Sequence, residues 1–280
     1  MRTNDGKDVP QLKGEGVYGI HSVLQVLLSG HRKIYGLYVK EDRMLSMGER
    51  LKKKTTADLR ALEHIKELAK HNGVEMYTTS KWMLNYITRD KPHQGLVLDA
   101  AALQLKEFDP VTPLEAVTAS KQLPVILVLD EIHDPQNLGA ILRSAHFLGC
   151  VAVVVSDQNS APMSPAVSRA SVGALEVLVA KNKLFKAKNL HEMLAVSGDL
   201  GWRVVGASSG PNSIVSTKLS DGAQPTILVM GNEHRGLRKC IRQCCQDIVA
   251  IPGQSTDDDT RVDSLNVSVA SAILLYELLR

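Results

Sequence analysis

Three segments in the second half of the chain carry polar residues that packing alone does not require. The first is LDEIHDPQNLGAILRSAHFLG, Leu129 to Gly149. Asn137 reads as the N-cap of a helix whose buried stripe is Leu138, Ile141, Leu142 and Ala145, with Gly149 as its C′ stop. Arg143 falls six positions past that cap, about 9 Å along the axis, and its side chain leans back toward the helix N-terminus. Its guanidinium can therefore hover over the strand–helix junction, where α/β sheets bind ligands. An exposed helical arginine beside an ordinary cap explains the pattern equally well.

The second segment is ILVMGNEHRGL, Ile227 to Leu237. An apolar strand ending at Met230 runs into Gly231, Asn232 and Glu233, then Gly236 and a basic helix with Arg238, Lys239 and Arg242. Glycines there admit a ligand close to the backbone, and Glu233 can accept hydrogen bonds from a ribose or hold a cation. The loop matches neither the dinucleotide nor the nucleoside-triphosphate glycine pattern. The third is DSLNVSVASAILLYELLR, Asp263 to Arg280, an amphipathic helix with the stripe Val269, Ile273, Leu274 and Leu278. Ahead of it Ser264, Asn266 and Ser268 alternate with Leu265 and Val267. Capping accounts for one of those polar residues, so a site near the helix start is the better reading.

These segments need rigid elements to hold them. Strand-like runs at Val125–Leu129, Val151–Val155, Glu176–Val179, Trp202–Gly206, Ile227–Met230 and Ile248–Ile251 alternate with helical patterns, including Leu138–Leu148, Leu190–Val196 and Leu237–Cys245. That alternation predicts an α/β fold with a largely parallel sheet over residues 123–280. Residues 14–102 read as a smaller α/β unit. Helices are expected at Val17–Leu28, ending at Gly30, and at Arg60–His71, with strands at Ile34–Val39, Val74–Thr78 and Leu96–Asp99. Residues 1–13 read as a tail and the proline-bearing stretch 103–122 as a linker.

Composition limits the function classes. The chain has 280 residues, 44% hydrophobic and 22% charged, enough for one or two packed domains and unlike a disordered or collagenous chain. No apolar run reaches the roughly 18 residues of a membrane span. Four cysteines fit a reducing compartment, and Cys240, Cys244 and Cys245 lack the second ligand pair of a zinc site, so packing explains them and no metal is expected. His133 reads as a loop residue. The net charge of +3 is unevenly spread: residues 1–100 hold 17 Lys and Arg against 12 Asp and Glu. Lys52, Lys53 and Lys54, with Arg43, Arg50 and Arg60, form a basic run that is most often a solvated face, and that reads as RNA phosphate contacts only with the resemblance given below. Aromatic residues at 4% argue against large stacking platforms.

Taken together, the three segments resemble the SpoU branch of the SPOUT RNA methyltransferases. The first family motif matches at Asn137, Gly139, Arg143, Ser144 and Ala145. The second matches at Gly231, Asn232, Glu233, Gly236 and Leu237, followed by Ile251 and Pro252. The third matches from Ser264 to Ser268. The N-terminal pieces VYGIHSVLQVLLSG and HQGLVL resemble a ribosomal-protein-like RNA-binding domain. NSAPMSPAVSRASVGALE is most like mitochondrial members that modify a guanosine of large-subunit ribosomal RNA.

The resemblance implies a C-terminal trefoil knot, a homodimer and S-adenosylmethionine as methyl donor, with ribosomal RNA as partner and neither DNA nor membrane. It implies donor binding by Met230, Gly231, Asn232, Ile251, Leu265 and Asn266, and a reaction centre of Asn137, Arg143, Glu233, Ser264 and Asn266. Arg143 would act either as a base assisted by a substrate phosphate, or by positioning that phosphate and steadying oxyanion charge. His234, Arg235, Gly253 and the long acidic loop after Gly253 depart from the family pattern. A transfer-RNA ribose methyltransferase and a non-catalytic assembly factor on the same fold are the alternatives. The implied location is the mitochondrial matrix, with the cytoplasm as the alternative. An organellar protein with this start would begin after its targeting segment.

Overall fold

A computed structural model describes residues 11–41, 56–111, 123–208, 213–221, 224–253 and 264–280. The tail to residue 10, Arg43, Arg50, Lys52, Lys53, Lys54, linker residues 112–122 and loop residues 254–263 lie outside the described residues. The elements begin with β1 (Glu15–Tyr18), α1 (Ile20–Ser29), β2 (Ile34–Lys40), α2 (Thr56–His71), β3 (Met76–Thr79), α3 (Lys81–Thr88) and β4 (Leu96–Ala100). The chain continues with β5 (Lys106–Glu107), β6 (Val125–Leu129), α4 (Pro135–Leu148), β7 (Ala152–Ser156), α5 (Pro165–Ala170), α6 (Ala174–Ala180), β8 (Leu184–Ala187), α7 (Leu190–Asp199) and β9 (Arg203–Ala207). It ends with β10 (Ile214–Val215), a 3-10 turn (Ser216–Asp221), β11 (Thr226–Met230), α8 (Lys239–Gln243), β12 (Asp247–Ala250) and α9 (Val267–Leu279). Among the described residues no helix is long and apolar enough to cross a membrane.

The first of two units comprises residues 1–104 together with 163–180. Its mixed sheet has the order β1-β4-β2-β3. The expected helix from Val17 instead begins at Ile20, because Val17 and Tyr18 pair with Leu98 and Val97 of β4 and Gly19, at φ 95°, turns the chain into α1. Val17, Ile20, Val23, Val26, Leu37 and Leu98 form the core. The run Glu176–Val179, expected as a strand, is helical: it lies in α6, against α1. Four apolar-flanked residues cannot separate a short buried strand from a short buried helix by period. At Gly173 an added Cβ would sit 2.6 Å from Gln25 Cγ and 3.0 Å from the His21 carbonyl, so only glycine admits so close an approach.

Glu176 is fully buried in this contact. Arg32 donates to both of its oxygens at 2.9 Å, and Ser168 Oγ donates to Oε1 at 2.7 Å. Nε2 of the His31 ring lies 3.1 Å from Oε2. Burial alone would raise this carboxyl, but His31, Arg32 and Ser168 outweigh it and hold it below its ordinary value.

The second unit comprises residues 105–162 and 181–280. Its eight strands run in the order β10-β12-β9-β11-β6-β7-β8-β5, and every pairing is parallel. β6, β7 and β11 are buried at every position, in keeping with sequences that are apolar but for Ser156 at the end of β7 and Thr226 at the start of β11. Leu190, Met193, Leu194 and Ile241 of α7 and α8 cover the face formed by Ile126, Val128, Val154, Val204 and Val229. On the other face α4 and α9 pack together. In α9 the buried residues are Val267, Ser271, Leu274 and Leu275, while Val269, expected in the stripe, is exposed. The helix is apolar all round, so its sequence period carries no phase.

Breaking the buried pair by Arg32→Ala should cost about 3–5 kcal/mol, read by urea denaturation. The Glu176 contribution is complete above the unfolded carboxyl value of about 4.3 and is lost as pH falls through the lower folded value. Stability measured between neutral and acid pH should therefore fall less steeply in Glu176→Gln than in the parent.

Candidate functional site

β6 and β11 are neighbours in register, Leu129 opposite Met230. The chain leaving β6 enters α4 and returns as β7 on one side, whereas the chain leaving β11 enters α8 and goes to β12 on the other. Such a divergence opens a crevice at the carboxyl ends of the strands, where α/β sheets place their ligands.

On the β6 side the helix starts earlier than expected. Asp134, not Asn137, is the N-cap of α4: its carboxylate accepts from the Gln136 and Asn137 amides at 3.1 and 3.2 Å, with Pro135 in the first turn. Released from capping, the Asn137 side chain reaches across the crevice. Its Nδ2 donates to Glu233 Oε1 at 3.1 Å, and its Oδ1 accepts from Asn266 Nδ2 at 3.0 Å. Asn266 is the N-cap of α9, and its Oδ1 accepts from the Ser268 amide at 2.9 Å and the Ser268 hydroxyl at 2.6 Å. The carboxylate thus sets the orientation of two amides in sequence, because it can only accept.

The loop carrying Glu233 is closed on itself. Asn232 and Gly236 exchange backbone hydrogen bonds at 3.1 and 2.9 Å. The buried Asn232 side chain accepts from the His234 and Arg235 amides and donates to the Glu131 carbonyl at 2.8 Å. A Cβ at Gly231 would sit 2.5 Å from the Gly236 carbonyl group, and Gly236 itself has φ 64°. Asn232 therefore shapes the turn with its side chain and leaves only backbone for a ligand. His133 Nδ1 is 3.3 Å from Asn232 Nδ2, which puts that residue beside the turn. Met230 is buried, and its carbonyl accepts from the Asp130 amide at 2.9 Å.

Arg143 lies on the exposed side of α4 and has no hydrogen-bond or ion-pair partner among the described residues. Ser264 and Leu265 are exposed, and Ile251 is half-buried. Among the described residues, Asn137, Glu233 and Asn266 are joined by hydrogen bonds, while Arg143, Ser264 and Ile251 make no such bond to them. Burial pushes the Cys150 and Cys245 thiols up to about 12, so neither supplies a thiolate at neutral pH.

One constellation escaped the sequence reading. Arg238, taken as part of a basic helix, donates through Nε to Oδ2 of the buried Asp130 at 3.0 Å and lies 3.5 Å from Glu131. That pairing raises the Arg238 pKa despite partial burial. Glu131 adopts φ 57° and accepts at Oε1 from Asn159 at 3.2 Å, while its amide donates to Ser156 Oγ at 2.9 Å. The available signal was an acidic pair directly after an apolar strand, which needs a cation once the strand end is buried.

An eight-stranded parallel sheet with a polar cluster at one switch point defines an α/β protein of the kind that places ligands at its strand ends. Residues 124–276 match the profile of the SpoU rRNA Methylase family, and residues 17–106 match RNA 2'-O ribose methyltransferase substrate binding. The chain belongs to the SpoU rRNA methylase family. It is 33% identical over 262 residues to "rRNA methyltransferase 1, mitochondrial" of Dictyostelium discoideum, covering 81% of this chain but only about half (47%) of that relative. It is 32% identical over 271 residues to "23S rRNA (guanosine-2'-O-)-methyltransferase RlmB" of Vibrio parahaemolyticus, covering 96% of this chain and 98% of that one. A solved RNA 2'-O ribose methyltransferase, 26% identical, superposes with a TM-score of 0.68 over 94% of this chain and 87% of its own.

The two loop glycines should respond differently to alanine. Gly236→Ala meets open space and carries only the left-handed backbone penalty, about 1 kcal/mol. Gly231→Ala must push the turn apart. Thermal denaturation should show the larger loss for Gly231→Ala.

Proposed function

We propose that this chain transfers a methyl group from S-adenosylmethionine to the 2'-hydroxyl of a guanosine ribose in large-subunit ribosomal RNA. The observation that carries the reading is the hydrogen-bonded set Asn137–Glu233–Asn266 at the switch point, with Arg143 on the same helix as Asn137, exposed and without a partner among the described residues. The strand ends suit the donor: Leu265 offers a half-exposed apolar side chain next to Asn266, and Gly253 stands in open space. Backbone at Met230, Gly231, Asn232, Ile251 and Leu265, with Asn266, would hold it there. When bound, S-adenosylmethionine supplies an electrophilic sulfonium methyl.

The chain's own residues then orient and stabilise. Glu233 fixes Asn137, and Asn137 fixes Asn266, so that polar groups face one point without reorganising. A guanidinium keeps its proton, so Arg143 would hold a substrate phosphate and steady the negative charge that grows on the ribose oxygen as its proton passes to that phosphate or to solvent, while the methyl moves to the oxygen and S-adenosylhomocysteine leaves. Ser264 lies two residues before Asn266 and adds a hydroxyl at the same edge.

Residues 14–102 would present the RNA and residues 123–280 would carry out the transfer. A trefoil knot is supported by the packing of α9 against both α4 and the 3-10 turn that lies between β9 and β11 in the chain. A homodimer is supported by apolar exposure on the packed pair α4 and α9: Phe147 is 86% exposed, Tyr276 57% and Val269 47%. The mitochondrial name of the Dictyostelium relative supports the mitochondrial matrix.

The reading is tested by depleting the protein and mapping 2'-O-methylation across ribosomal and transfer RNA. One large-subunit guanosine should lose its mark and regain it with the wild-type chain. Arg143→Ala should bind S-adenosylmethionine as the parent does but transfer about 100-fold more slowly or worse. Unchanged methylation everywhere would overturn the activity, and full rescue by Arg143→Ala would remove that residue from the reaction.

A further inference from the structure

The chain has only 11 aromatic residues (Phe 3, Trp 2, Tyr 6), yet three of the five that are well exposed lie within ten positions. Tyr77 is 38% exposed, Trp82 55% and Tyr86 49%. Trp82 and Tyr86 stand one turn apart on α3 with ring centroids 5.7 Å apart and planes inclined at 22°. Tyr77, on the edge strand β3 that leads into this helix, is stacked on Tyr38 at 5.1 Å and 23°. An i, i+4 aromatic pair stabilises a helix by only about 0.2–0.5 kcal/mol. Leaving a tryptophan and a tyrosine half in water is thus more than helix formation needs.

The surroundings indicate what covers them. Lys81 opens the helix, Arg89 follows it in the left-handed cap position, and Lys91 lies two residues on, all exposed. Lys81 and Asn85 also line a cleft of about 620 Å³, along with Lys40, Lys66 and Lys91. Asp58, Glu63 and Asp90 share that lining, so four lysines are set against three carboxylates and the electrostatic pull is modest. Recognition must then rest on the ring faces, with the cations gripping neighbouring phosphates. Stacking of one base on an aromatic side chain is worth more than a solvated phosphate contact and tolerates any sequence. Asn85 is held for readout: Gly95 donates to His93 Nδ1 at 3.0 Å, which leaves Nε2 to donate to Asn85 Oδ1 at 2.9 Å. The Asn85 amide group is thereby turned with its donors away from the histidine.

We propose that Trp82 and Tyr86 form a stacking platform for an unpaired base of the RNA substrate, with Lys81 and Lys91 holding the phosphates beside it. This rests on the RNA reading above and assigns it a second contact, outside the methyl-transfer site.

The test uses the full chain and two RNA probes of equal length, a hairpin with an unpaired purine loop and a blunt duplex. The only other tryptophan, Trp202, packs against the sheet core, so tryptophan emission in Trp202→Phe reports Trp82 alone. The loop hairpin should quench that emission and the duplex should not. Trp82→Ala should bind the hairpin about tenfold more weakly or worse, with Trp82→Phe restoring most of the affinity. S-adenosylmethionine binding and the thermal midpoint should stay as in the parent. Lys81→Ala and Lys91→Ala should instead flatten the salt dependence.

Hairpin affinity within twofold of the parent for both Trp82→Ala and the Trp82→Ala/Tyr86→Ala double variant would overturn the platform while leaving the methyltransferase reading intact. Loss of the dimer in Trp82→Ala, measured by sedimentation, would overturn it in favour of a protein contact. A parent that neither binds nor methylates any RNA would remove the RNA reading itself.

Discussion

Leu129 and Met230 end two neighbouring parallel strands in register, and the chains that leave them must part. The rest of the site depends on that one divergence. It puts the first turn of α4, the Gly231–Gly236 loop and the start of α9 around one crevice, although the residues they bring together are 96 and 129 positions apart. The loop stays tight because no Cβ fits at Gly231 and because the Asn232 side chain accepts from two amides of the turn and ties it to the Glu131 carbonyl. Glu233 is therefore presented at a fixed place. A carboxylate accepting from one asparagine, which accepts from a second, is a preorganised polar surface, and preorganisation is what a charge-developing transfer requires.

The Asp130–Arg238 pair anchors the same crevice from beneath. Asp130 is buried at the strand end, so its charge needs a partner, and Arg238 supplies one from the residue just before α8. This ties the two diverging chains together across 108 positions. Breaking one partner would leave a buried carboxylate uncompensated, which costs more than the pair itself contributes.

The sheet was legible in the sequence to within a residue or two at β6, β7, β9, β11 and β12, most plainly at β6, β7 and β11, since a strand buried on both faces must be largely apolar. Helix α6 was not, since Glu176–Val179 is too short for its period to speak and the partner of Glu176 is Arg32, far upstream. Asn137 read as a cap because asparagine is a favoured cap residue, whereas the structure starts the helix three residues earlier, with Asp134 as cap and Pro135 in the first turn. Glu233 and Asn266 were singled out on chemistry that local structure left unexplained, and Asn137 through the family resemblance. That they touch one another could not be read, nor could the Asp130–Arg238 pair. Low aromatic content pointed away from stacking. Three of the five exposed rings nevertheless fall within ten positions, which an average over 280 residues conceals.

The most direct measurement is the chemical identity of the product. The purified chain is given large-subunit ribosomal RNA and S-adenosylmethionine labelled in its methyl group, and the RNA is then hydrolysed in alkali. A ribose methylated at its 2'-oxygen resists cleavage, so the label should be found in alkali-stable dinucleotides containing guanosine. Label released in mononucleotides as a methylated base, or no label in RNA at all, would contradict ribose methylation at this site.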